Sequence, residues 1–323
     1  MQTRQRKTEA GYRKRYTGMI RTLCRRQKVV SVNVEDLAAE VGRRASRLTP
    51  NSLKQYHAVL RQQLRDLWDQ GAIAEEEVER IDAMLRMQRP MPETSKDKAG
   101  RRTSARRARS VRPETLSALV SELLSDPTAI RRIAAAQLEY GVVIATRPSE
   151  FLTLNVDAND RLWVTSAKYS EANRRGLQPE RSVALDHLDP GDIVELREIA
   201  GLLLAERKAG ATTASLLRRC QNAIRVARTE VGGRSKTVTA YTVRHQARAN
   251  MAAMEMTPEE VAVMMNHASA TTAQSHYAPA RQGWKGLKGI APPAVDPVLV
   301  AKVRPGNRSR GWTIEPPPGR RPG

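Results

Sequence analysis

The sequence is poor in large aromatic residues, with one Phe, four Trp and seven Tyr among 323. A core must therefore be assembled from Ala, Leu, Val, Ile and Met, for which the 40% apolar content is sufficient. Cysteine is nearly absent. Cys24 and Cys220 alone exclude a disulfide framework and a four-cysteine zinc site. No run of 18 apolar residues occurs, so no apolar helix spans a membrane. Residues 1–10 are polar and basic and lack the apolar stretch of a secretory signal. There is no Gly-x-x-x-x-Gly-Lys-Ser/Thr loop and no carboxylate cluster at metal-site spacing. No cofactor and no metal are expected. These absences lead us to expect a reduced, cytoplasmic chain.

Negative charge is also scarce. Lys and Arg number 55 against 34 Asp and Glu, a net +21 with a pI near 10.7. A polyanion is the expected partner, either a nucleic acid or a membrane surface. The excess is uneven. Residues 1–112 hold 27 basic and 13 acidic side chains, a net +14, and the remainder carries +7. The densest stretch is Lys96–Arg112, with eight basic residues, including Arg101, Arg102, Arg106 and Arg107, and Asp97 as its one acid. Pro90, Pro92, Ser95, Gly100 and Ser104 flank or interrupt it, and no apolar period runs through it. It reads as a basic linker between domains, available for phosphate contact.

A chain of this length suggests two domains. We expect a helical domain over 1–92, the linker over 93–112, a mostly helical domain with a small antiparallel sheet over 113–288, and a Pro/Arg-rich tail without order over 289–323. No internal repeat is visible. The fold class is mainly α.

In the first domain, Val34–Val41 is a short helical pattern closed by Gly42. Thr49-Pro50 starts a helix in which Leu53, Tyr56, Leu60, Leu64, Leu67 and Trp68 share one face, stopped by Gly71. Glu75–Met87 is the next helix. Lys54, Arg61, Arg65 and Gln62 lie on the Leu53–Trp68 helix and are candidates for contact with the polyanion. In the second domain, Pro113 opens a helix and Ile130–Ile144 reads as one buried, Ala-rich helix. Phe151–Val156 and Arg161–Thr165 read as extended segments around a turn at Asp157–Asp160, and Arg181–Leu185 alternates and can pair with them. Helix resumes after Asp189. Thr257-Pro258-Glu259-Glu260 is a capping box that begins another helix.

Four places stand out together: Arg147 with Glu150, Lys168, the run Tyr241-Thr242-Val243-Arg244-His245, and Asn266-His267 followed by His276-Tyr277. Singly each is ordinary. In order they place two arginines 97 residues apart, a histidine 23 residues after the second, and a tyrosine 10 residues after that. This order resembles the tyrosine recombinase (phage integrase) family, over roughly residues 113–285. The family's first box, an arginine with a glutamate two or three residues on, matches Arg147 and Glu150. Its second box, usually His-x-x-Arg-His, matches Tyr241–His245 with Tyr241 in the first histidine's place. Its third, Gly-His followed by Ser, Thr-Thr and a tyrosine, matches Asn266–Tyr277. Here Asn266 stands for the glycine, and Tyr277 falls one residue later than usual, at the position after His276.

The resemblance implies a site-specific DNA strand transferase. Tyr277 would be the nucleophile, and Arg147 and Arg244 would grip the scissile phosphate. His267 would donate to the same phosphate and Lys168 would protonate the leaving 5′-oxygen. Arg174 and Arg175 are close enough in sequence to compete with Lys168. Tyr241 can hydrogen-bond a phosphate oxygen. Glu150 would orient Arg147 or cap the local backbone. The first domain would hold double-stranded DNA from one side and the second from the other. The same resemblance implies a homotetramer on paired DNA sites, accessory DNA-bending proteins, nucleoid association, no membrane partner, and passage of the segment after Tyr277, with Trp284, to a neighbouring subunit. Two other readings share these residues: a type IB topoisomerase-like enzyme, and a DNA-binding regulator with a decayed site.

Overall fold

The computed structural model describes residues 6–90, 108–169, 176–271, 280–287 and 292–305. The chain divides into two compact units, Met1–Arg102 and Thr103–Gly323. The protein is mainly α, and among the described residues it has one three-stranded antiparallel sheet, in the second unit. Residues 91–107, which carry Arg101, Arg102, Arg106 and Arg107 of the expected linker, lie outside the described residues.

Among its described residues, the first unit has four helices: α1 (Arg6–Gln27), α2 (Val34–Ala45), α3 (Pro50–Asp69) and α4 (Glu75–Met87). Two of the starts, those of α2 and α3, have a side-chain cap. The Asn33 side chain accepts from the Asp36 amide, and Thr49 Oγ1 accepts from the Ser52 amide just ahead of Pro50. The α3 stripe buries Leu53, Leu60 and Leu64 against Leu37 and Val41 of α2 and Ile81 and Leu85 of α4. Each such side chain contributes roughly 1.5–3 kcal/mol on burial. Trp68, at the end of that stripe, is half exposed instead. Gly42 does not close α2, which runs on to Ala45. The glycine serves tertiary packing: a Cβ there would stand 3.0 Å from Nε2 of Gln88, whose amide donates to the Ala38 carbonyl. Helix α1, 22 residues long, packs on α3.

The second unit opens with α5 (Pro113–Leu124) and α6 (Ala129–Glu139), packed on each other and on α10 (Thr213–Val231). The expected single helix over 130–144 is broken at Tyr140, after which α7 (Gly141–Ile144) resumes. The break admits α11 (Ala240–Ala253), which comes so close that a Cβ on Gly141 would meet Val243 Cγ2 at 2.6 Å. Phe151 does not lie in a strand. It ends the short helix α8 (Pro148–Phe151) and is fully buried as the one phenylalanine of the core.

The sheet is β1 (Asn155–Val156), β2 (Arg161–Thr165) and β3 (Glu180–Ala184), in that order, with Leu162 opposite Val183 and Val164 opposite Arg181. The Asp157 carboxylate accepts from the Asn159 and Arg161 amides and makes the turn between β1 and β2. Helix α9 (Pro190–Lys208) packs on α6 and β1. Helix α12 (Pro258–Met264) starts at the Thr257–Glu260 capping box. The tail differs from expectation within its described part. Helix α13 (Pro297–Lys302) packs on α12, and the Arg304 carbonyl accepts from the Ala270 amide while Val303 is buried against Ala262 and Ala270. The start of α13 is local: the Asp296 side chain accepts from the Val298 amide, and Pro297 occupies the first turn.

Candidate active site

Four segments of the second unit converge on one buried carboxylate, that of Glu150. The chain arrives from α7 through Ala145, which holds a left-handed φ of +55° and has no exposed surface. This conformation costs a non-glycine residue on the order of 1 kcal/mol. It aims the Ala145 carbonyl at the Arg244 guanidinium, which donates to it. Arg147 follows at the N-cap of α8. Its amide donates to Glu150 Oε2 at 2.8 Å, and its guanidinium donates to Oε1. The same carboxylate accepts from the Ala167 amide at 3.1 Å, one residue before Lys168. Glu150 thus both orients Arg147 and anchors the backbone that leads to Lys168.

Arg244 sits in the first half of α11 and has no exposed surface. Besides Ala145 it donates to the Met265 carbonyl at 2.8 Å, meets His267 Nε2 at 3.2 Å, and stands 3.7 Å from Glu150. His267 is 4% exposed and Arg147 7%. The sequence-predicted residues Arg147, Glu150, Arg244 and His267 are therefore gathered in one place. Lys168 is exposed at the turn after β2. Tyr241, in the first turn of α11, is 38% exposed. Tyr277, His276, Arg174 and Arg175 lie outside the described residues.

A third arginine belongs to the cluster. Arg181 of β3 is 3% exposed, donates to the Ile144 carbonyl at 3.1 Å, and has no hydrogen-bond partner for Nε or Nη1 among the described residues. The sequence carries a signal for it: Arg181, Val183 and Leu185 alternate, so the arginine shares the inward face of a strand.

The electrostatics follow from three guanidiniums around one carboxylate. Burial pushes the Glu150 carboxyl up, but the charges of Arg147, Arg181 and Arg244 outweigh burial and hold it below its usual value. Burial pulls Arg181 down to about 9, against the attraction of Glu150 and with the repulsion of Arg244 and Arg147. His245 is drawn down to about 4 by burial and by the charges of Arg109 and Arg244, so it is neutral at pH 7. The centre keeps a surplus of positive charge, the arrangement that receives an anion such as a phosphate. No cluster of metal-ligating side chains occurs among the described residues.

In the first unit, Lys54 and Arg65 are exposed on α3. Arg61 is engaged by Asp82 of α4 at 2.6 Å, and Gln62 is buried, with its amide 2.9 Å from Asp66. Sequence reasoning passed over α1. Its Lys14, Arg21 and Arg25 are exposed and, at spacings of 7 and 4, lie on one stripe. In the second unit, Trp284 is held by its own chain: its indole donates to the Val111 carbonyl at 2.8 Å and its amide to Asn250 at 3.1 Å. No helix among the described residues is long and apolar enough to cross a membrane.

Fold and site together define a mainly helical protein with a buried guanidinium centre suited to an oxyanion. No family model and no curated protein matches the sequence. Among solved structures, the chain is similar to one described as the crystal structure of XerA recombinase, at 16% identity, over 73% of this chain and 81% of that one, with a TM-score of 0.37.

Proposed function

We propose that the protein is a site-specific DNA recombinase that cuts and rejoins strands through a 3′-phosphotyrosine. The observation that carries this reading is the gathering of Arg147, Glu150, Arg244 and His267, whose order in the sequence resembles that family, with Arg181 joining them from β3. In this reading the Tyr277 oxygen attacks the scissile phosphorus and gives its proton to a solvent water. The bond from phosphorus to the 5′-oxygen breaks, and Lys168 gives that oxygen a proton. Arg147 and Arg244 stabilise the charge gathered on the non-bridging oxygens, and Tyr241 donates a hydrogen bond to one of them. A 5′-hydroxyl from a second duplex then reverses the step onto a new strand. The phosphodiester energy is kept in the covalent link, so the chain's own residues suffice.

The partner is double-stranded DNA, held largely through phosphate neutralisation by Lys54, Arg65 and the α1 stripe, with Arg61 and the basic residues Arg101, Arg102, Arg106 and Arg107 adding to it. Exchange takes place in a homotetramer on paired sites, with accessory bending proteins, at the nucleoid. Because Arg147, Arg244 and His267 are 7, 0 and 4% exposed, the phosphate must uncover them on binding. That same burial favours a second reading, in which Arg244 is a structural tie and the protein binds DNA without chemistry.

Strand transfer separates the readings. A nicked duplex carrying a cognate site, incubated with a second labelled duplex, should give a joined product. Relaxation of supercoiled DNA lacking any site, with no joined product, would indicate a topoisomerase-like enzyme. Salt-sensitive binding with neither product would indicate the non-catalytic protein.

A further inference from the structure

The residue before His267 does more than turn the chain. Helix α12 ends in a Schellman motif: the Asn266 amide donates to the Val263 carbonyl and the His267 amide to the Ala262 carbonyl, both at 2.8 Å. Asn266 occupies the left-handed position with φ of +49°. Glycine is the usual residue there, because it carries no Cβ, and asparagine is the next best tolerated. The backbone alone therefore gives no reason for a side chain.

The side chain has its own partners. Asn266 is 1% exposed, and its amide group is engaged on both sides. Oδ1 accepts from the Leu177 amide at 2.8 Å and the Gln178 amide at 3.4 Å. Nδ2 donates to Ser166 Oγ at 2.9 Å and to the Gln178 carbonyl at 3.1 Å. Ser166 ends the β2 side of the β2–β3 connection, and Leu177 and Gln178 begin the β3 side. The Ser166 amide donates to the Pro179 carbonyl at 2.7 Å and closes the same base. Lys168 stands two residues beyond Ser166 and is exposed. One buried amide thus ties both stems of the Lys168 loop to the residue next to His267.

The geometry points to Asn266 as a positioning residue that fixes the Lys168 loop relative to His267, so that the leaving-group acid and the phosphate donor face one phosphate. This inference rests on the recombinase reading. Glu150 holds the same loop from the other side through the Ala167 amide. With the asparagine side chain gone, the loop keeps that anchor and loses its second, and Lys168 moves relative to the 5′-oxygen.

The test is single-turnover cleavage of a nicked duplex with either oxygen or sulfur at the bridging 5′ position. A thiolate leaves without being protonated, so the sulfur substrate bypasses the acid. Asn266→Gly retains the left-handed backbone and removes only the side chain. It should cleave the oxygen substrate about 10–100-fold more slowly than the wild type, the scale of a misplaced catalytic group. On the sulfur substrate it should approach the wild-type rate, as should Lys168→Ala. Ser166→Ala removes one of the same hydrogen bonds from the opposite end and should show the same pattern at smaller amplitude. A folded Asn266→Gly that is as fast as wild type on oxygen, or equally slow on both substrates, overturns the inference. If that variant does not fold, Ser166→Ala is judged by the same two criteria. A wild type that cleaves neither substrate at a site it binds removes the recombinase reading itself, and this inference with it.

Discussion

Arg244→Ala should lower the rate of strand cleavage by about 10²–10³-fold, the usual cost of deleting one preorganised donor to a developing oxyanion. DNA affinity should change little, since it resides in many surface cations. Arg244→Lys should fare almost as badly. The guanidinium spans the Ala145 carbonyl, the Met265 carbonyl and His267 Nε2 at once, and an ammonium presents a single point of donation. The measurement is single-turnover cleavage at saturating protein, with a thermal melt to confirm folding. A lysine variant of wild-type rate would show that only the charge matters, and the bridging role given to Arg244 would be wrong.

Glu150→Ala should destabilise the second unit by about 3–5 kcal/mol, because it strands buried charge that had a partner. Arg147, Arg181 and Arg244 would then repel one another with no carboxylate between them, and the Arg147 and Ala167 amides would lose their acceptor. Glu150→Gln should cost less, since an amide oxygen can still accept from the two backbone amides. The pH dependence has a definite sign. The carboxyl titrates below its usual 4.5 in the folded chain, so its stabilisation is present above about pH 4.5 and is lost as the pH falls through the folded value. The wild type should lose stability over that acidic range, and Glu150→Ala should lose less. Denaturant midpoints at neutral and acidic pH measure both effects. Sulfate should raise the midpoint of Glu150→Gln more than that of the wild type, because an anion then fills the role of the missing charge. A loss below 1 kcal/mol for Glu150→Ala would remove Glu150 as the keystone of the cluster.

Much of this arrangement was legible beforehand where local chemistry decides. Thr49-Pro50 and Thr257–Glu260 marked helix starts because their caps need only near neighbours. Strands β2 and β3 followed from alternation. Arg147, Glu150, Arg244 and His267, far apart in sequence, do converge. What failed depends on distant partners. Gly42 looked like a terminator, but it makes room for Gln88. Phe151 looked extended because helix α8 is a single turn, too short for any period to show. The broken helix at Tyr140 reflects the close approach of α11 at Gly141, which no local pattern announces. Arg181 was hidden because a charged residue in a strand is normally taken as outward-facing, yet Glu150 makes its burial affordable. The sequence shows Asn266 only as standing where the family has a glycine. Its side-chain partners lie 88 to 100 residues away.

In the proposed function the Arg147, Arg244 and His267 cluster serves attack by Tyr277 on a DNA phosphate. The most direct measurement is to trap the covalent complex on a nicked duplex under denaturing conditions, digest it, and identify the nucleotide-linked peptide by mass spectrometry. One modified peptide is expected, with the nucleotide on Tyr277, and no complex from Tyr277→Phe. A complex that persists in that variant, or a nucleotide found on Tyr241, would contradict it.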